Sequence, residues 1–191
     1  MKKLVLFILT LFCINVASSA NAMEIEGLLD QALSLQKSGD KAGLEKTLNL
    51  SAVALEKETK ESKGDFKDKL TSSLGGLKSM IPLASKGLVK QNALQKLVST
   101  IKLLLGANRI SGMLGGGSLV GKAAGLKSNL GLMQMGMSAL GGGGGDQMGS
   151  LIKGALGGVG NLEKGGLAAK AAEPALKKQL GSILDMVKKG V

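Results

Sequence analysis

The chain has no histidine, no tryptophan and no tyrosine, a single cysteine and three phenylalanines. Each scarcity removes a class of chemistry. With no imidazole and a single thiol, zinc, copper and iron lose their usual ligand sets. With so few rings, a binder of single-stranded nucleic acid would lack stacking platforms, and a tight protein interface its usual anchors. Paired carboxylates that cleave glycosidic bonds would work here without sugar-stacking surfaces. No segment alternates at period two for long enough to make a strand.

The cysteine and two of the phenylalanines lie in the opening segment. Lys2 and Lys3 precede an apolar run over residues 4–14, broken only by Thr10, and Ala20-Asn21-Ala22 offers a small-residue cleavage site. This pattern predicts an export signal, residues 1–22, removed before Met23. The run is too short to span a bilayer as a helix. Cys13 follows Leu11-Phe12 instead of a small residue, so it does not read as a lipid-attachment site. The expected mature chain is periplasmic or secreted and retains one aromatic side chain, Phe66. It has no disulfide to rely on, so its core rests on Leu, Ile, Val, Ala and Met, each buried Leu contributing roughly 1.5–3 kcal/mol.

Removing Lys2 and Lys3 from the 25 basic residues leaves 23 against 14 acidic ones, a net +9. That charge serves solubility and also attracts anionic partners over a distance.

Apolar periodicity then predicts an all-α fold, a small bundle of amphipathic helices over residues 23–105 followed by a glycine-rich, partly flexible helical half. Ile25, Leu28, Leu29, Ala32 and Leu33 share one face, Ser38-Gly39 ends that helix, and Asp40 is placed to cap the next. Leu44, Leu48, Ala52 and Leu55 mark a second helix, giving a helical hairpin. Residues 56–65 are almost wholly charged or polar and read as a solvated extension or a linker. A third helix carries Phe66, Leu70, Leu74, Leu77 and Ile81, with Pro82 expected to end or kink it. Leu94, Leu97, Val98, Ile101, Leu104 and Leu105 form the clearest stripe, with Ser99 and Lys102 off it and Gly106 and Asn108 at its end.

Of 30 glycines, 23 fall between Gly106 and Gly190. Residues 106–160 therefore read as a glycine-rich region with one helix, near 119–140, striped by Leu119, Ala123, Leu126, Leu130, Met133, Met137 and Leu140. Gly117, Gly121 and Gly125, at intervals of four, are expected to give it a smooth face for close helix packing, with self-association among glycine-rich helices as a further use. The glycines at 141–145 read as a flexible turn, and residues 151–156 as a short, weak helix. Residues 161–191 read as a basic amphipathic helix with Pro174 in its first turn and Leu176, Leu180, Ile183, Leu184 and Val187 on one side. Lys177, Lys178, Lys188 and Lys189 on the remainder are the expected anion contacts. Met133, Met135 and Met137 fit a core better than a binding surface.

The catalytic motifs do not hold together. Gly116 to Lys122 matches a phosphate-binding loop, but Ala123 replaces the hydroxyl that would hold magnesium and no strand precedes it. Ser150 and Lys153 have the spacing of a lysine-activated serine, which recurs at Ser34/Lys37, Ser38/Lys41 and Ser99/Lys102 without partner motifs. The acidic residues never reach the density of a calcium loop. No catalytic, cofactor or metal residue emerges. The sequence points to a non-catalytic exported helical protein that binds another protein or an anionic envelope surface, with nucleic acid disfavoured. The alternative is a secreted membrane-active protein, similar to a toxin or bacteriocin, using its Gly/Leu/Lys-rich half at a bilayer.

Overall fold

The computed structural model describes residues 24–62, 64–140 and 145–190, without the side chains of residues 138–140, 145 and 146. The expected export signal and glycines 141–144 lie outside the described residues. Among the described residues the fold is all-α, with seven helices and no strand. They are α1 (Ile25–Ser38), α2 (Lys41–Glu61), α3 (Lys67–Ser85), α4 (Gln91–Gly115), α5 (Ala123–Leu140), α6 (Gly145–Glu163) and α7 (Gly166–Gly190).

The first hairpin forms where the sequence places it. Gly39 adopts φ +76°, a left-handed conformation that suits glycine, and the N–H groups of Gly39 and Asp40 close onto the carbonyls of Gln36 and Leu35. The Asp40 carboxylate accepts the Gly43 N–H at 2.9 Å and so starts α2. Helix α2 continues to Glu61, so the polar stretch after Leu55 is largely a helical extension. Two of its buried hydroxyls, Ser51 and Thr59, donate to carbonyls of their own helix, which removes the penalty of burying them.

Helix α4 is the centre of the molecule. It packs against α1, α3, α5 and α7, and residues 101–107 are buried without interruption. Where α4 is covered on several sides it has no solvated face, so Ser99 and Lys102, expected off the apolar stripe, are buried there, while its first turns keep Gln95 and Lys96 exposed. The expected end at Gly106 and Asn108 is overturned, because α4 runs on to Gly115. A Cβ on Gly106 would stand 2.7 Å from the Asn129 carbonyl oxygen of α5. Here the missing side chain admits a neighbouring helix, and the packing offsets the roughly 1 kcal/mol that glycine costs inside a helix.

Three further expectations are corrected. Helix α5 begins at Ala123, not near 119, although Leu119 is still buried from the preceding loop. The weak helix at 151–156 is the middle of a 19-residue helix, steadied by α7, where Leu176 lies 3.2 Å from a Cβ built on Gly158. Pro174 sits inside α7 instead of opening it, with its ring on an exposed side of the helix. Pro82 lies in the last turn of α3, which ends at Ser85, in line with the end expected there. Of the three clustered methionines, Met133 is buried, Met137 is partly buried against the core, and Met135 is 54% exposed.

Candidate functional site

Eight of the 14 acidic residues lie in α1, α2 and the residues flanking them, while residues 69–145 carry nine basic residues and no acidic one. Folding brings the two together. Lys102 of α4, 7% exposed at its side chain, donates to Asp30 of α1 at 2.5 Å. Nearly two turns further on, Arg109 bridges Glu26 of α1 at 2.5 Å and Glu58 of α2 at 3.0 Å. Burial alone would lower the Arg109 pKa, but the hydrogen bonds and charges of Glu58 and Glu26 outweigh it and raise it. Asn108 extends the seam by donating to the Ser62 hydroxyl at 2.8 Å. The second oxygen of Glu26, Oε2, is buried and has no hydrogen-bond partner among the described residues. The seam fixes how α1 sits on α4 and ties α2 to it through side chains, and it neutralises two of the nine cations.

The loop between α4 and α5 carries the phosphate-loop match, and its groups are used internally. Lys122 folds back to donate to the carbonyls of Met113 and Gly116 at 3.0 and 3.3 Å, where it satisfies the carbonyl end of α4. Glu173 of α7 accepts from the Leu119 N–H at 2.9 Å and from the Ser118 hydroxyl at 3.0 Å. The Lys177 ammonium, 2.8 Å away, then the Leu119 N–H and the Ser118 hydroxyl hold the Glu173 carboxyl at a pKa of about 2. This arrangement pins the loop to α7. Its lysine and its Leu119 N–H are thereby engaged within the fold and are not directed at a phosphate.

The four lysines expected to meet anions divide into two pairs. Lys177 is committed to Glu173. Lys188 pairs with Asp65 at 2.5 Å, which chiefly raises its pKa, and lies 6.0 Å from the centre of the Phe66 ring. Lys69 donates to the Lys188 carbonyl at 2.8 Å, so the last turn of α7 is clamped onto the start of α3 and the residues just before it. Lys178 and Lys189 are exposed and form no ion pair among the described residues. The interior claims the first pair because α7 packs its Leu176/Val187 face inward and carries its flanking lysines to carboxylates at the edges.

The glycine triplet is corrected. Gly117 and Gly121 lie in the α4–α5 loop with φ +87° and +85°, and a Cβ on either would meet nothing within 4 Å. They serve the turn. Gly125 is on α5, and a Cβ there would meet only the flexible end of Met113. Close helix approach is made instead by Gly106 and Gly136, which four-residue glycine spacing did not pick out. Both belong to the interface between α4 and α5.

The serine–lysine spacings do not assemble a nucleophile at the two places where their partners are visible. Ser38 donates to the Leu35 carbonyl, and Lys102, beside Ser99, is held by Asp30. Among the described residues no group of three or more acidic, histidine or cysteine side chains is placed to hold a metal ion. No helix of the described residues is long and apolar enough to cross a membrane. The surface hollows are shallow, such as the one over Ala42, Asn49, Leu50 and Val53 on the outer side of α2. Compared with known proteins, the chain matches no family model, no curated protein and no solved structure.

Proposed function

We propose that this is an exported, non-catalytic helical protein that acts by binding, through its outer surface, another protein or an anionic envelope surface. The observation that carries this reading is the division of its cations. Lys102 and Arg109 are spent on the fold, whereas Lys86, Lys90 and Lys96 of the same acid-free stretch are exposed and form no ion pair among the described residues. Such a surface attracts negative charge, while the shallow hollows offer little enclosure for a small substrate. The alternative of a membrane-active protein working through its glycine-rich half draws less support. The apolar sides of α5, α6 and α7 are already occupied in the core, and insertion would require them to leave it.

The test joins cross-linking in an intact envelope fraction to a broad hydrolase screen of the purified chain. A stable cross-linked partner or envelope association, with no turnover, is the expected result. Turnover of any substrate, abolished by one side-chain replacement, would refute the reading.

A further inference from the structure

Two turns distant in sequence meet at one end of the bundle. The Gln36 side-chain amide at the end of α1 donates to the Val89 carbonyl in the α3–α4 loop at 3.2 Å. A Cβ on Gly87 of that loop would lie 2.8 Å from the Lys41 ammonium at the start of α2. This juxtaposition gathers Lys37, Lys41, Lys86 and Lys90, all exposed and none in an ion pair among the described residues. The carboxylate nearest in sequence, Asp40, is engaged as the α2 cap. The same turn exposes two leucines: Leu88 is 61% exposed and Leu83 40%. Their positions are fixed by the turn itself, since the Leu88 N–H donates to the Leu83 carbonyl at 2.8 Å and Gly87 supplies the left-handed residue with φ +69°.

We infer that this end of the bundle, built from the α1–α2 and α3–α4 turns, docks on the surface of an anionic phospholipid bilayer. The inference rests on the binding function proposed above and narrows it to one face and one partner. Lysines beside exposed aliphatic side chains combine the two terms of interfacial attachment, attraction to anionic head groups and burial of apolar side chains at the acyl boundary. A nucleic acid would satisfy the lysines and leave the leucines in water. The chain's only aromatic beyond the expected signal, Phe66, is buried and unavailable for base stacking. Lysines keep their ammonium groups at this depth by extending along the surface while their methylene stems lie on it.

The experiment is co-sedimentation of the purified chain with vesicles of equal parts phosphatidylglycerol and phosphatidylcholine, against vesicles of phosphatidylcholine alone. Wild type and variants carry the same residues 1–23, so differences between them report on the described fold. Each lysine near an anionic surface is worth roughly fivefold in partitioning, so Lys86→Gln with Lys90→Gln is expected to weaken anionic binding roughly 25-fold. Leu88→Ser is expected to weaken it several-fold, and its exposure means that the fold does not depend on it. Lys178→Gln with Lys189→Gln on α7 is expected to change binding by less than about threefold, and melting curves of all variants should match wild type.

Loss of binding in the α7 pair with none in the loop pair overturns this docking face and leaves the proposed function standing. A wild-type chain that ignores anionic vesicles overturns the inference, while cross-linking to a protein would still uphold the wider reading. Equal binding of wild type and Leu88→Ser to the vesicles also overturns it, because the surface would then be reading charge alone.

Discussion

Gly136 of α5 lies against Ser99 of α4, so close that a Cβ there would stand 2.6 Å from the Ser99 carbonyl oxygen. The same atom would meet the Leu103 backbone nitrogen at 2.8 Å. Gly136→Ala therefore forces the two helices apart. Overpacking of this kind costs about 1–3 kcal/mol, or roughly 2–12 °C of melting temperature for a chain of this size. Gly131, on the same helix, has open space where a Cβ would go. Gly131→Ala is expected to stabilise by up to about 1 kcal/mol, because alanine is the better helix former. Urea denaturation of the two variants should give shifts of opposite sign.

The Lys102–Asp30 pair is unequal, since the lysine side chain is 7% exposed and the aspartate 58%. Removing the aspartate strands a buried ammonium, whereas removing the lysine leaves a carboxylate that water can reach. Asp30→Asn is expected to destabilise by about 1–3 kcal/mol. Lys102→Met, which fills the same space without charge, is expected to be near neutral. Equilibrium unfolding of both variants checks the asymmetry.

Stability should fall in acid through two glutamates. Lys78 and Lys60 hold the Glu56 carboxyl at about 2, and Lys177 with the Leu119 N–H holds Glu173 at about 2, both below the ordinary 4.5. The unfolded chain binds more protons between those limits, so stability rises with pH there. The contribution is complete above about pH 4.5 and disappears as the pH falls through about 2. Glu173→Gln should flatten the dependence of melting temperature on pH across that window. Added salt should weaken the share of Glu56, which is solvent-screened, more than the share of Glu173, which includes a backbone hydrogen bond.

Phe66 is 1% exposed and sits beneath the last turn of α7. Phe66→Ala is expected to cost about 3–5 kcal/mol and to loosen α7, visible as faster amide exchange over its final two turns. Lys188→Ala touches the same place but removes only a part-exposed ion pair and a long-range ring contact. It should cost less than about 1 kcal/mol.

The helical hairpin of α1 and α2 was legible because its signals are local. A glycine takes a left-handed turn, an aspartate caps the next helix, and leucines recur at three and four residues. The end of α4 was misread for the converse reason. Glycine and asparagine at 106–108 are stop signals by propensity, and only the approach of α5 turns Gly106 into a contact. The ionic seam could have been suspected from Ile101-Lys102-Leu103-Leu104-Leu105, where apolar residues cover more than one helical face around a charge. Its partners, Asp30, Glu26 and Glu58, are 51 to 83 residues away in sequence and carry no local mark. The candidate lysines were legible as a class but not as individuals, since pairing with Glu173 or Asp65 depends on where α7 lands.

By itself the sequence determined the helical class, the first hairpin, the apolar faces that would be buried and the excess of positive charge, because periodicity, capping and composition act within a few residues. Tertiary structure alone decided that α4 is the central helix, which glycines bend the chain and which bring helices together, and which lysines remain outside. Those outcomes depend on distant segments competing for the same surfaces, and no local pattern encodes which of them wins.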